Sequence, residues 1–366
     1  MQKEKYTVLI DICHPAEVHH FKNLFAQLSA EGWTIVFAAK DKDVTFALLE
    51  RLCLPFIKMG ATGKTLVEKM IKIPRDVIQF FNIVRAVKPD VILTGNLSLH
   101  SAVVSFLGHV PLIAFIDSEN RGLLDTLTLP LTALKVTSHQ YRKNLGVNHI
   151  RYNGNNELAY LHPDLFKPDK RILAASKLEQ PFVFFRFVSW TAFHDLGLHG
   201  MSLDYKRKLI QSVQKHKRVI ISSESPLPDD LKPFEYHFSP ENLHHILAYA
   251  DCYCGEGATT ASEAVCLGTP AIYINKIQLG YCDYEKSFGL LYQYDAIDEH
   301  NYEPIVNMLC DPDFKNKHQE KWTEFIASAD NVAEIMVKIL KDLAVNGDEW
   351  PRGRIGSRSN KRSAPQ

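Results

Sequence analysis

Apolar positions in the first 140 residues fall into short unbroken runs separated by longer amphipathic stretches. Residues 6–12, 33–39, 91–94, 112–116 and 135–137 read as buried strands. Between them, 19–30 sets Phe21, Leu24, Phe25 and Leu28 on one helical face and is stopped by Gly32, and 44–52 is a second helix. Strands apolar on both faces and alternating with helices predict a parallel sheet covered on both sides. The pattern breaks at 154–168, which reads as a linker, and then restarts. Residues 182–187, 218–222, 235–238, 251–254 and 271–274 are the strands of a second set. Ser239 and Pro240 open a helix that carries Leu243, Ile246, Leu247 and Ala250 at helical spacing, and 261–267 is a further helix. The fold class expected is therefore α/β, with two Rossmann-like lobes (1–165 and 166–330) whose parallel sheets face a central cleft. An amphipathic helix spans 331–345, and the basic tail 346–366 has no apolar period and is expected to be disordered.

Composition narrows the function classes. The 366 residues carry 42 Lys+Arg and 42 Asp+Glu, a formal net charge of zero, so no nucleic-acid partner is expected. No apolar run is long enough to span a bilayer, and the start lacks the apolar core of a signal peptide. Seven cysteines, none in a CxxC pair, read as free thiols in a cytoplasmic protein, with Cys252 and Cys254 in the core. The segment 64–88 mixes Lys64, Lys69, Lys72, Arg75, Arg85 and Lys88 with large apolar residues. It reads either as a peripheral contact with the inner face of a membrane or as helix packed on the first sheet with solvated lysines.

The turn after 251–254 holds the most pointed chemistry. Gly255, Glu256, Gly257, Ala258, Thr259 and Thr260 lead from a strand into a helix. Small residues admit a ligand close to the backbone, and a helix start offers N–H groups and partial positive charge, so a diphosphate is expected here without a metal. Glu263, one turn in, either receives ribose hydroxyls or closes a capping box on Thr260. Arg186 ends an otherwise apolar strand in the run RFVSWTAFHD and reads as a phosphate ligand, with Ser189 as a hydroxyl donor and His194, beside Asp195, as an acid or ligand. In the first lobe, the run DICHPAEVHH ends the first strand. His14 is a candidate general base, Glu17 the competing one, and the plainer alternative is that Asp11 and His14 only shape the loop. Asp117 and Glu119 share a loop suited to acceptor hydroxyls, or simply solvate it. Asp41 and Asp43 form a DxD pattern that reads better as loop and helix cap than as a metal site, and neither metal nor cofactor is expected.

The run GEGATTASEAVCLGTPAIYIN resembles the nucleotide-sugar site of GT-B-fold enzymes, among them UDP-N-acetylglucosamine 2-epimerase and the N-acetylglucosaminyltransferase acting on lipid-linked peptidoglycan precursor. DICHPAEVHHFKNL and RFVSWTAFHD are similar to a family of predicted glycosyltransferases of this fold in bacteria and archaea. The resemblance covers roughly residues 6–340. It implies a nucleoside-diphosphate sugar (UDP-sugar favoured) held by Gly255–Thr260 with Glu263 at the ribose, Phe238 near the base, and Asp283 or Glu285 near the sugar. It further implies transfer to a glycan or lipid-linked acceptor in polysaccharide biosynthesis, and terminal helices that return to the first lobe. Epimerisation of the sugar nucleotide, with Asp117, Glu119 and His194 prominent, and a non-catalytic binding or scaffold role are the competing readings.

Overall fold

A computed structural model of the chain describes residues 6–63, 65–119, 122–178, 180–188 and 200–346. The chain forms two compact units. One takes the chain up to Thr137, Lys143–Arg151 and the stretch from Glu334; the other takes Ser138–Arg142 and Tyr152–Ala333. The boundary expected near 165 falls earlier, since the second unit already takes the chain from Tyr152, and short segments and the last helix change sides.

The first unit is built on β1 (Thr7–Ile12), β2 (Thr34–Asp41), β3 (Phe56–Ala61), β4 (Val91–Thr94), β5 (Leu112–Phe115), β6 (Leu134–Ser138) and β7 (His149–Tyr152), in the order β3-β2-β1-β4-β5-β6-β7. Its helices are α1 (Pro15–Ala30), α2 (Thr45–Arg51), α3 (Leu66–Val87), α4 (Leu99–Gly108) and α5 (Leu123–Thr128). Val8, Leu9, Ile10 and Ile12 of the central strand are fully buried, as are Phe21, Leu24 and Leu28 of α1. Each such side chain stabilises the fold by about 1.5–3 kcal/mol. Strand order reverses between β1 and β4, and open α/β sheets bind ligands outside the strand ends at such a switch point. The long helix α3 turns Phe80, Ile83 and Val84 inward and leaves Ile71 and Ile78 exposed, at 72% and 63%. Among the described residues, no helix is long and apolar enough to cross a membrane.

The second unit contains β8 (Phe182–Phe187), β9 (Arg218–Ser223), β10 (Cys252–Gly255), β11 (Ala271–Ile274) and β12 (Leu291–Tyr294), in the order β12-β11-β10-β8-β9. Helices α6 (Leu158–Leu161), α7 (Lys170–Ala175), α8 (Leu203–Val213), α9 (Leu243–Tyr249), α10 (Ala258–Cys266), α11 (Gly280–Ser287), α12 (Tyr302–Cys310) and α13 (Gln319–Ala327) accompany them. Val183, Phe185 and Phe187 alternate into a core with Ile221, Cys252, Cys254 and Ile272. The switch point here lies between β8 and β10. All seven cysteines are free thiols, and Cys252 and Cys254 are fully buried as expected.

Several local expectations change. Residues 235–238 do not form a strand, since Glu235 makes only an isolated bridge with Ile221. Helix α1 begins four residues early, at Pro15, because His14 and Glu17 form a capping box. Helix α10 begins at Ala258, with Gly257 as its N-cap and no side-chain cap, so the capping box that is one of the two alternatives for Glu263 does not close on Thr260. Val44, rather than Asp43, occupies the N-cap of α2.

Candidate functional site

At the switch point of the second unit, Arg186 on β8 is the register partner of Gly255 on β10, and the Glu256 N–H donates to the Arg186 carbonyl at 3.1 Å. Gly255 is required by space. A Cβ there would lie 2.5 Å from the Tyr253 hydroxyl and 2.6 Å from the Arg186 carbonyl. The same hydroxyl donates to the Gly257 carbonyl at 3.0 Å and braces the turn. Gly257, Ala258, Thr259 and Thr260 are partly exposed, and among the described residues no side chain caps the N–H groups of α10. Such N–H groups, with a helix dipole behind them, can seat an anion. Arg186 is held toward β9, donating to Ser222 Oγ at 2.5 Å and Glu224 Oε1 at 2.9 Å, with its guanidinium partly exposed.

Glu256 is the surprise of this turn. Its carboxylate is buried and accepts from the Val188 N–H (3.1 Å) and the Met201 N–H (2.7 Å), with Lys206 Nζ 3.1 Å away. It therefore fastens the chain where it leaves β8 and where it returns, rather than facing solvent. Ser189 and His194 lie between those two points and outside the described residues. Phe238 is half-buried and packs against Phe184 and Tyr236.

Glu263 is buried on the inner side of α10. Its Oε1 accepts from the Tyr160 hydroxyl at 2.8 Å and lies 3.0 Å from His244 Nε2. Glu285 lies deeper. It is fully buried, and its Oε1 accepts from Ser262 Oγ and Asn155 Nδ2, each at 2.6 Å. Its Oε2 has no hydrogen-bond partner among the described residues, and burial pushes its carboxyl up to about 8 against the pull of Ser262 and Asn155. Of the two acids that the resemblance put near a sugar, Glu285 is thus an interior group. Asp283 is at the surface, paired with Lys286 and Arg142.

The first unit gathers a second constellation at the β1–β4 switch point. Asp11, at the end of β1, is fully buried and accepts from Ser98 Oγ at 2.6 Å. His100 Nε2, on α4, lies 3.0 Å from it. These two bonds and the electrostatic pull of His100 and Lys40 outweigh burial, and the Asp11 carboxyl stays below its usual range. His14 Nδ1 accepts from the Ala16 N–H at 3.2 Å. Glu17 Oε2 accepts from the N–H groups of Cys13 (2.6 Å) and His14 (3.0 Å), while its buried Oε1 has no hydrogen-bond partner. Burial, reinforced by Asp11 and Asp117, raises the Glu17 carboxyl to about 8. Asp117 is exposed at the end of β5 and Glu119 is buried two residues on. The structure therefore joins Glu17 to the His14 backbone by a hydrogen bond and to Asp117 electrostatically, and adds Ser98 and His100 beside Asp11. Those two were visible in the sequence only as polar residues following a strand.

Comparison with known proteins places this arrangement. UDP-N-acetylglucosamine 2-epimerase from Neisseria meningitidis, solved with UDP-N-acetylglucosamine, is 11% identical over 92% of this chain and 100% of its own, with a TM-score of 0.67. The UDP-N-acetylglucosamine 2-epimerase of Methanocaldococcus jannaschii is 14% identical over 92% and 99%, with a TM-score of 0.64. Spinosyn rhamnosyltransferase SpnG complexed with thymidine diphosphate is 12% identical over 92% and 100%, with a TM-score of 0.61. At such identities the likeness is one of fold, and the two parallel sheets are those of the GT-B architecture. A sequence relative, uncharacterized protein MJ0665 of Methanocaldococcus jannaschii, is 23% identical over 280 residues, 72% of this chain and 80% of its own. A family match covers residues 6–344, both switch points included, so the chain belongs to the family described as protein of unknown function DUF354.

Proposed function

We propose that this chain is a glycosyltransferase that takes a sugar from a nucleoside-diphosphate donor, UDP-sugar favoured, to a glycan or lipid-linked acceptor. The observation that carries the reading is the convergence at one switch point of the uncapped N-terminus of α10, the close-approach glycine Gly255 and the partly exposed guanidinium of Arg186. The diphosphate lies on the N–H groups of 257–260, with Arg186 drawing charge from the leaving phosphate and no metal needed there. Glu263 receives a ribose hydroxyl on its Oε2, its other oxygen being held by Tyr160. His14 or Glu17 accepts the proton of the acceptor hydroxyl, with Asp117 and Glu119 placing the acceptor. Solved relatives of the fold with UDP-N-acetylglucosamine or thymidine diphosphate support a nucleotide donor. The exposed Ile71 and Ile78, with exposed Arg75 between them, support a resting place of α3 on an anionic bilayer, where a lipid-linked acceptor would be found. Part of the basic segment, Lys64, lies outside the described residues.

Sugar-nucleotide 2-epimerisation is the second reading, favoured by the epimerase likeness and by Asp117 bearing on Glu17. The test is thermal shift against UDP-, GDP-, CDP- and dTDP-sugars, with and without EDTA, on wild type, Arg186→Ala and Glu263→Ala. Ligand at 100 times its Kd stabilises the folded form by ~2.7 kcal/mol. An EDTA-insensitive shift with one base class, reduced in both variants, is expected; no shift with any donor overturns the reading. Incubation with the donor alone then separates the two activities, because only an epimerase alters it.

A further inference from the structure

The first unit brings together three side chains of a kind that rarely meet without reason. Asp11 ends β1, Cys13 follows it by two residues, and His100 comes from the first turn of α4. One ligand-type atom from each lies within 4.8 Å of the other two. The Cys13 sulfur is 3.8 Å from the Asp11 carboxylate, and His100 Nε2 is 3.0 Å from it. A four-coordinate zinc with bonds of about 2.0–2.3 Å spaces its ligand atoms roughly 3.3–3.7 Å apart, so the two separations from Asp11 are within about half an ångström of that spacing, and the Cys13 and His100 atoms lie within 4.8 Å of each other. The surroundings point the same way. Glu17 borders the cluster through its bond to the Cys13 N–H, and its buried Oε1 has no hydrogen-bond partner. Two buried carboxyl groups thus crowd one thiol, with Lys40 the nearest fixed positive charge, itself paired with Asp76 at 2.5 Å. Ser98 Oγ, 2.6 Å from Asp11, already stands where a group orienting a metal-bound carboxylate stands.

We propose that Asp11, Cys13 and His100 bind a divalent transition-metal ion of the zinc class at the β1–β4 switch point. The mixed oxygen, sulfur and nitrogen donors select such an ion over magnesium or calcium. Binding forms metal–oxygen, metal–sulfur and metal–nitrogen bonds. The Cys13 thiol releases its proton to solvent, and the His100 proton resides on Nδ1 so that Nε2 ligates. Cys13 is half-buried, so the site lies close enough to the surface for an ion to reach it. The sequence hid this site because its ligands come from two segments 89 positions apart. It belongs to the first unit and does not rest on the donor reading, which concerns the second.

The test uses untagged full-length protein, stripped of metal and titrated with Co2+ and with Zn2+. Expected are one equivalent per chain and, for cobalt, a thiolate-to-metal charge-transfer band that Zn2+ displaces. Cys13→Ser removes the band, His100→Ala abolishes tight binding, and Ser98→Ala weakens affinity ~10–100-fold. Cys53→Ser, at an exposed thiol elsewhere, leaves all of these unchanged. Circular dichroism on each variant separates lost ligation from lost fold, and Cys13→Ser, the smallest change, decides if His100→Ala does not fold. No bound equivalent in wild type overturns the proposal, as does a charge-transfer band that survives in folded Cys13→Ser.

Discussion

Glu285→Gln isolates a single titration in the interior of the second unit. The wild-type carboxyl rises from an ordinary 4.5 to about 8, chiefly because it is buried. Between those values the unfolded chain has released the proton while the folded chain retains it, so stability falls as pH rises. Each pH unit in that window costs ~1.4 kcal/mol, and the whole window ~5 kcal/mol. The glutamine does not titrate. Its carbonyl still accepts from Ser262 and Asn155, and its amide supplies a donor where Oε2 has no partner. Every other ionisable group is common to both proteins and cancels in the comparison. From pH 5 to pH 8 the variant is therefore expected to gain on wild type by up to ~4 kcal/mol. A kcal/mol is worth ~2–4 °C in melting temperature for a unit of this size, so the gap widens by ~8–16 °C. Thermal melts of the two full-length proteins at pH 5, 6, 7 and 8 read it directly. Two melting curves that shift in parallel across that range refute the assignment.

Gly255→Ala forces a methyl group against the Tyr253 hydroxyl and the Arg186 carbonyl, and is expected to cost ~1–3 kcal/mol, read by urea unfolding, along with donor binding. Glu256→Gln leaves Lys206 without its buried partner and is expected to lose ~3–5 kcal/mol. The double change with Lys206→Gln should cost clearly less than the sum of the two, and strict additivity would count against the ion pair. Replacing Ile71 and Ile78 by glutamate should abolish sedimentation with anionic vesicles while leaving the stability within ~1 kcal/mol of wild type. Equal sedimentation of the variant would remove α3 from the bilayer.

The strands that could be read in advance are those whose residues are buried on both faces, such as β1, β8 and β11, because continuous apolar runs leave little alternative. The missed strands have a different composition. In β3, FIKMGA, only Met59 is buried, and in β12, LYQY, only Leu291 is, so each lies at a sheet edge without an apolar run. The strand-to-helix glycine turn was legible because it is local in sequence. Its supports were not: Glu256 reaches Met201 across 55 positions, and Glu263 reaches Tyr160 across 103. The capping box fell at His14 rather than Thr260 because histidine Nδ1 can take the acceptor part usually played by a hydroxyl, whereas Gly257, one turn earlier than expected, already starts α10.

The C-terminal helix, Val332–Asn346, carries a consequence for how the protein is made. From Glu334 it belongs to the first unit, where the Tyr6 hydroxyl donates to the Ala344 carbonyl and Lys341 pairs with Glu31. Tyr6 and Ala344 are separated by 338 positions, so a ribosome adding about 5–20 residues per second needs roughly 20–70 s between them. For that interval the earliest strand and its neighbours wait beside an uncovered surface while the whole second unit is synthesised and folds. The half of the molecule that begins first is completed last, when the C-terminal helix has been made.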